Sequence, residues 1–505
     1  MNLPEILALS PILIVSTTVI VVMLAIAIRR HHTFVASVSM LGLALAVAAT
    51  AAVWQTGATL RSIATLLIVD PFACFYMAMI LIAAIAVTAL SHTYLKNHEG
   101  RREELYLLLL LSTLGGMVMV ASRHFTSFFV GLELLSMPMY GMAAYLVKQR
   151  RSLEAGMKYL VLSAVASAFI VFGMALIYSE IGTMVFSDIG EKLAEVTSGD
   201  SVVLLGAALL LVGLGFKLSL APFHLWTPDV YEGAPAPVAS FLATASKVPV
   251  FALLLRYVAE THAIGYPSLA DTLSLLAILS IVVGNILALL QPNLKRLLAY
   301  SAIAHFGYML VALIASGPLA SEAVGVYLLT YTVTTLAAFG VITLVSSPLN
   351  HEAQAISEYR GLFWQRPGLA VILTVALLSL AGVPLTAGFL GKFYVLGAGV
   401  DQRQWLLLGT IVAGSAVGLY FYLRAMIQLY LRPVPAAGSA AAPLPHSCAI
   451  SSTLAAAPSG NVGASMLVAL LLLMLALGVY PAPFIKLAQS SGVEPRPSAL
   501  AADRR

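Results

Sequence analysis

Residues 201–250 read SVVLLGAALLLVGLGFKLSLAPFHLWTPDVYEGAPAPVASFLATASKVPV. Two apolar runs meet here at a segment holding Pro222, Pro228, Pro235 and Pro237, and each run carries a lysine well inside it, Lys217 and Lys247. A helix needs about 20 apolar residues to cross about 30 Å of hydrocarbon, and both runs approach that length. A lysine at mid-membrane depth costs roughly 2.5 to 3.5 kcal/mol, so it faces a partner charge or a wetted cavity and marks a transport path. Pro222 removes a backbone hydrogen bond and clashes with the preceding turn, so the first helix is expected to break beside Lys217. The plainer alternative ends the helix near Pro222 and lets Lys217 reach the headgroups, although Lys217 lies too deep for that to be easy. Lys247, just before Pro249, is the more central of the two.

The rest of the chain agrees with this reading. Its 505 residues are 60% hydrophobic and 10% charged, with mean hydropathy +0.96, which no solvated globular surface sustains. The expected fold is an all-α polytopic membrane protein with about fourteen spans. They fall near 6–28, 34–55, 68–94, 104–121, 124–147, 155–179, 201–224, 236–259, 270–290, 297–316, 322–346, 368–398, 404–431 and 465–487. The first is too long, and lacks the basic leader, for a cleavable signal.

A net charge of +5 does not point to nucleic acid, because the basic residues stand at span ends and not in a patch. Arg29, Arg30, Lys96, Arg101, Arg102, Lys148, Arg150, Arg151, Lys295, Arg296, Arg360, Arg366 and Arg432 fall on one side. Arg61, Arg123, Lys192, Arg256 and Arg403 fall on the other. The basic side is cytoplasmic by the positive-inside rule, which puts both termini outside. Cys74 and Cys448 have no metal-ligand spacing, so no metal or redox centre is expected on the chain.

Five segments are expected: three N-terminal spans in 1–103, five-helix units in 104–259 and 270–431, an Ala/Pro-rich linker in 432–463, and a last span with its tail in 464–505. The two units read as inverted repeats with broken helices in spans 7 and 12. Span 12 is the longest, contains Gly382, Pro384, Gly388 and Gly391, and carries Lys392 as its inner charge. A single steeply tilted helix is the competing view. In register, Glu133 lies opposite His305, Lys217 opposite Lys392, and Lys247 opposite Arg424.

Glu133 is the lone charge of its span, and a buried carboxylate needs a cationic neighbour to ionise. Lys217 is the expected partner, in an ion pair that opens and closes to gate proton uptake; a purely structural pair is the alternative. Lys158 follows Glu154 by four residues, the spacing of a helix-end pair. His224 and Asp229 follow the proline break. His305 is a lone imidazole on an apolar helix, as readily a packing residue as a proton carrier. Asp70 reads as an interfacial cap. There is no phosphate loop, dinucleotide fingerprint, nucleophile elbow or haem-spaced histidine pair, so the energy source lies elsewhere.

The runs GLGFKLSLAPFHLWTPDVYEGAPAPVASFLATASK, SLAGVPLTAGFLGKFYVL and NLKRLLAYSAIAHFGYML resemble the subunit N family of bacterial NADH:quinone oxidoreductase, respiratory complex I, over nearly all the spans. The resemblance implies an antiporter-like, proton-carrying subunit of the inner membrane. In it Glu133 is the carboxylate, Lys217 its partner, Lys247 the connecting lysine and Lys392 the lysine near the outward exit; beside these four, Lys158, His224, His305 and Asp229 are expected on a secondary proton path. It also implies that NADH, flavin, iron–sulfur clusters and quinone belong to partner subunits, and that the partners are other complex I membrane subunits, related antiporter-like ones among them, and lipid. The sister families M and L fit less well, because M is expected to carry glutamate in place of Lys392 and L a long lateral helix. The alternative function is a subunit of a multi-subunit cation/proton antiporter. A scaffold without an ion path is the third reading.

Overall fold

The computed structural model describes residues 3–56, 61–63, 65–96, 100–195, 201–316, 318–346, 352–432 and 462–492. The expected 432–463 linker, and Cys448 within it, lies almost wholly outside the described residues.

The N-terminal part comprises α1 (Leu3–Ala8), α2 (Ser10–Ile28), α3 (His32–Gln55) and α4 (Pro71–Leu95). Between α3 and α4 runs a small antiparallel hairpin, β1 (Arg61–Ile63) with β2 (Leu67–Val69), pairing Arg61 with Val69 and Ile63 with Leu67. The hairpin leaves the fold all-α in class; its strands are too short to register as a period-two pattern. Asp70 caps α4 by accepting from the Ala73 N–H at 2.7 Å, and Pro71 occupies the first helical position, where its missing N–H costs nothing.

Next come α5 (Glu104–Val120), α6 (Phe125–Ala143), α7 (Arg150–Ile181), the short amphipathic α8 (Phe186–Glu195) and α9 (Ser201–Leu218). They are followed by α10 (Trp226–Gly233), α11 (Ala236–Ala243) and α12 (Lys247–Thr261). The second stretch holds α13 (Pro267–Leu289), α14 (Leu294–Ala315), α15 (Pro318–Ser346), α16 (Leu362–Gln365), α17 (Pro367–Ala381), α18 (Ala387–Asp401) and α19 (Trp405–Tyr430). The chain closes with α20 (Val462–Val479) and α21 (Ala482–Ser490).

Among the described residues eleven helices or helix pairs are long and apolar enough to cross a membrane, and α5 and α17 are shorter apolar helices. The expected breaks are present, between α9 and α10 in span 7 and between α17 and α18 in span 12. A third was not expected: span 8 is interrupted at 244–246, with Lys247 opening α12. Pro249 lies in the first turn of α12, where proline is tolerated, so it marks a helix start and not an interior kink.

The centre of the molecule is α4, α11–α12, α14 and α15, whose apolar windows are almost wholly buried; α2 and α20 lie at the periphery. The two stretches pack alike, α5 on α6 and α7 on α9 in one, α13 on α14 and α15 on α18 in the other. Small residues permit the close approaches. A Cβ at Gly115 of α5 would lie 2.2 Å from the Leu135 nitrogen of α6, so only glycine fits there.

Candidate functional site

The first break leaves backbone groups of α9 without helical partners, and the structure accounts for them one by one. The Leu220 N–H turns back to the Gly215 carbonyl at 2.8 Å, and the Trp226 indole N–H donates to the Phe216 carbonyl at 3.0 Å. The Ala221 N–H donates to the Ser280 hydroxyl at 2.9 Å. The carbonyl of Lys217 itself accepts from Lys247 Nζ at 2.7 Å. Lys247 also donates to the Ser219 hydroxyl, and its ammonium lies 4.8 Å from the Trp226 ring centroid and 5.7 Å from that of Phe306, the neighbour of His305 on α14. The helix break thus supplies the acceptor that makes a buried, 1%-exposed ammonium tolerable.

Lys217 is also buried and donates to Ser136 of α6 and Ser163 of α7, both at 2.7 Å. Ser163 exchanges a further hydrogen bond with Tyr140 at 2.9 Å. Glu133 accepts from Ser167 at 2.6 Å. The expected Glu133–Lys217 ion pair is therefore not formed in this state. Each group meets its own serine on α7 instead, Lys217 meeting Ser163 and Glu133 meeting Ser167, one helical turn apart.

The second break repeats the device. The Val383 N–H returns to the Leu378 carbonyl at 3.1 Å, Gly382 adopts φ +81°, and the carbonyl of Ala381 accepts from Lys392 Nζ at 2.8 Å. The Lys392 ammonium also faces the Tyr308 ring at 5.4 Å. His305 lies between Tyr327, 2.7 Å from Nδ1, and Tyr422, 3.2 Å from Nε2, and Tyr422 meets Ser301. A small cavity of about 10 Å³ beside His305 is lined by Thr334, Ser379 and Gly388, space for about one water next to the α17–α18 break.

At the basic end a charged cluster surrounds α10. Lys158 pairs with Glu154 at 2.8 Å, as its spacing suggests, and also with Asp229 at 2.8 Å. Arg296 joins Asp229 at 2.7 Å and Glu232 at 2.9 Å. Burial works to raise the Asp229 carboxyl, but hydrogen bonds from Lys158 and Arg296 outweigh it and hold the group below the usual carboxylate range. A polar cavity of about 140 Å³ opens here beside Arg151, Glu154, Lys158, Asp229 and Glu232. Lys295, fully buried, grips the α10–α11 link through the carbonyls of Glu232 and Ala234 and pairs with Glu352.

Of the residues singled out from sequence, the structure joins Lys217 to Lys247 by a hydrogen bond, sets Glu133 on a serine one turn along α7 from the serine that Lys217 meets, and brings Lys392 and His305 into a second neighbourhood. Lys158 and Asp229 join in the basic cluster. His224 stays apart: it is buried, its ring edge-on to Tyr300, with Nδ1 lacking a partner among the described residues. Arg424 does not match Lys247 in place, for it donates to the Gln291 carbonyl at the α13–α14 turn. Sequence reasoning missed Ser136, Ser163, Ser167 and Ser219; the four-residue spacing of Ser163 and Ser167 on a membrane helix was the available signal. No group of three or more histidine, cysteine or acidic residues suited to a metal occurs among the described residues.

A membrane bundle with paired broken helices and buried lysines at the breaks defines a class. Residues 122–418 match the profile of the NADH:quinone oxidoreductase/Mrp antiporter transmembrane family, and the chain belongs to that family. Along 97% of its length it is 52% identical to NADH-quinone oxidoreductase subunit N of Ectopseudomonas mendocina, covering 97% of that protein. It is 51% identical to subunit N of Chromohalobacter salexigens, with 95% of this chain and 98% of that one aligned. Among solved structures it resembles a chain of Thermus thermophilus respiratory complex I with bound aureothin, at 34% identity and TM-score 0.78, covering 95% of this chain and all of that one. It shares its fold, at 20% identity and TM-score 0.81, with a chain of the Mrp complex of Dietzia, covering 97% of each.

Proposed function

We propose that this chain is the proton-carrying N subunit of a bacterial NADH:quinone oxidoreductase, embedded in the inner membrane with both termini on the periplasmic side. The observation that carries the reading is that Glu133 and Lys217 bond to Ser167 and Ser163, one turn apart on α7, while the Lys217 carbonyl bonds Lys247, in a chain that matches subunit N along its length. Residues 104–259 and 270–431 are two inverted five-helix repeats; their like packing order supports that division. NADH oxidation, flavin, iron–sulfur clusters and quinone reduction belong to partner subunits, and this chain adjoins other membrane subunits of the same assembly, related antiporter-like ones among them.

Protons enter from the cytoplasmic side at the Lys158–Asp229 cluster, collect at Lys217, pass to Lys247, and cross by His305 to Lys392, which releases them outward. Hydroxyl groups carry the transfer within the first unit, since each can donate or accept as the lysine beside it changes state. Redox steps elsewhere bias the path by shifting Glu133 and Lys217 between direct contact and their separate serine contacts.

Two measurements test this. A mild-detergent pull-down of the chain from its own membranes should recover a large assembly that oxidises NADH with quinone. In vesicles, Lys217→Ala should lower proton uptake per NADH, and unchanged uptake would refute the central role of Lys217. Sodium-dependent proton exchange without NADH, in a small membrane assembly, would favour the cation/proton antiporter instead.

A further inference from the structure

Four charges that the proton path does not use, two buried and two half-buried, lie at the opposite end of the first unit. Arg256, on α12, is 1% exposed, and its two terminal nitrogens bond both carboxylate oxygens of Asp70, at 2.7 and 2.8 Å. Its guanidinium lies 4.5 Å from the Phe72 ring. One turn on, Glu260 lies 3.7 Å from Arg256 and accepts from Arg123 Nε at 3.0 and 3.2 Å. The sequence pattern placed Arg256 and Arg123 among loop charges and Asp70 as a cap. Asp70 does cap α4, but the same carboxylate also clamps α12.

This clamp sits on the helix that begins with Lys247. From Val248 to Leu255 every residue of α12 is apolar or proline and buried, a dry stretch of about 12 Å. Lys247 at one end and Arg256 with Glu260 at the other are thus the charged anchor points of the rod. Lys247 reaches the Lys217 carbonyl at 2.7 Å, and a slip of one residue rise, about 1.5 Å, would break that bond. The reference for the clamp is α4, which is buried between α5, α12 and α15 and so touches both units. Arginine suits the role: its planar fork bonds a carboxylate at two points, and it keeps its proton where lysine would exchange one.

We infer that Asp70 and Arg256, backed by Glu260 and Arg123, are positioning residues that set the height of Lys247 through α12 and keep the outward end of the first unit closed to protons. This gives the N-terminal helices a part in translocation. It rests on the proton-carrying role proposed above.

The test uses the whole NADH-oxidising assembly in proteoliposomes, comparing wild type with Asp70→Ala, Asp70→Asn and Arg256→Lys. Passive proton entry under an imposed potassium diffusion potential is read without NADH, and protons moved per NADH are read with it. Asp70→Ala is expected to keep uncoupled NADH oxidation within about twofold, to raise passive entry several-fold and to lower protons per NADH. Asp70→Asn, which retains the cap and one acceptor, should restore at least half of each loss, a rescue that mere misassembly would not give. Asp70→Ala with wild-type tightness and stoichiometry overturns the inference, as does loss of NADH oxidation in step with pumping. If Asp70→Ala fails to assemble, the other two variants decide: a leak in either supports the clamp, and wild-type behaviour in both refutes it. A wild-type assembly that does not pump would instead refute the functional reading itself.

Discussion

Gly382 holds Lys392 in place by having no side chain. At φ +81° an L-residue costs about 1 to 2 kcal/mol, which a domain stable by about 5 to 15 kcal/mol survives, so Gly382→Ala should assemble. The added methyl would lie 2.8 Å from Lys392 Cδ and 3.1 Å from Nζ. The outer part of a lysine yields more easily than backbone, so Lys392 moves and its 2.8 Å bond to the Ala381 carbonyl is lost. A hydrogen bond to a charged group is worth about 1.5 to 3 kcal/mol, so the productive position should become about ten- to a hundredfold less occupied. The assay is proton uptake per NADH in vesicles, against NADH oxidation measured with a protonophore. Uptake should fall while uncoupled oxidation stays near wild type. Gly397→Ala, on the same helix with open space around it, is the control and should be silent. Wild-type uptake in Gly382→Ala, or an equal loss in Gly397→Ala, would refute the reasoning.

Ser163→Ala removes the hydroxyl that joins Lys217 to Tyr140, and should reduce pumping several-fold without loss of assembly; combined with Glu133→Gln, the two losses should fail to add, as a double-mutant cycle on pumping rates would show. Trp226→Leu removes the ring facing Lys247 and should destabilise the site by about 0.5 to 2 kcal/mol, read as a lower thermal midpoint of the assembly. At the basic cluster the Asp229 carboxyl is held low in the folded chain, so its stabilising share is present at neutral pH and is lost as pH falls through the acid range. Wild type and Asp229→Asn should therefore differ in thermal stability from pH 7 down to about 4 and converge only as the pH is lowered further, below the ordinary carboxylate value.

Apolar run length showed a polytopic helical membrane protein, because a helix that meets lipid needs a long apolar run, and proline or excess length pointed to the breaks in spans 7 and 12. The break in span 8 was hidden. Its residues 244–246 are Thr-Ala-Ser, which carry no breaker signal, and Pro249 sits where a new helix can accept it. The lysines stood out because charge inside an apolar run is costly. Their partners did not, since an acceptor can be a serine or a backbone carbonyl, and neither differs in sequence from a packing residue. Hence Glu133–Lys217 was the obvious pair on charge alone, whereas in the folded chain each bonds a serine hydroxyl instead. Arg256, and the second contact of the Asp70 cap, escaped the sequence for a related reason: both residues stand at span ends, where a charge is usually solvated, and only the packing of α4 against α12 buries them.

That difference in acceptors separates two ways in which Lys217 could work, as a fixed positive charge or as a carrier that loses and regains its proton. Two serine hydroxyls and no carboxylate face its ammonium directly, and a hydroxyl that accepts from the charged form can rotate to donate to the neutral amine. A carbonyl, such as the one facing Lys392, only accepts, and Lys247 faces one carbonyl and one hydroxyl. Lys217 is thus the lysine whose hydrogen-bond partners are both hydroxyls and serve both states, which suits a carrier. Lys217→Arg decides between the two. Arginine can donate to Ser136 and Ser163 and retains the charge, so assembly and uncoupled NADH oxidation should persist, but it does not release its proton in proteins. Proton uptake per NADH should fall as far as in Lys217→Ala. Uptake at the wild-type ratio in Lys217→Arg would make Lys217 a fixed charge, and the carrier would have to be sought among the hydroxyls and Glu133 around it.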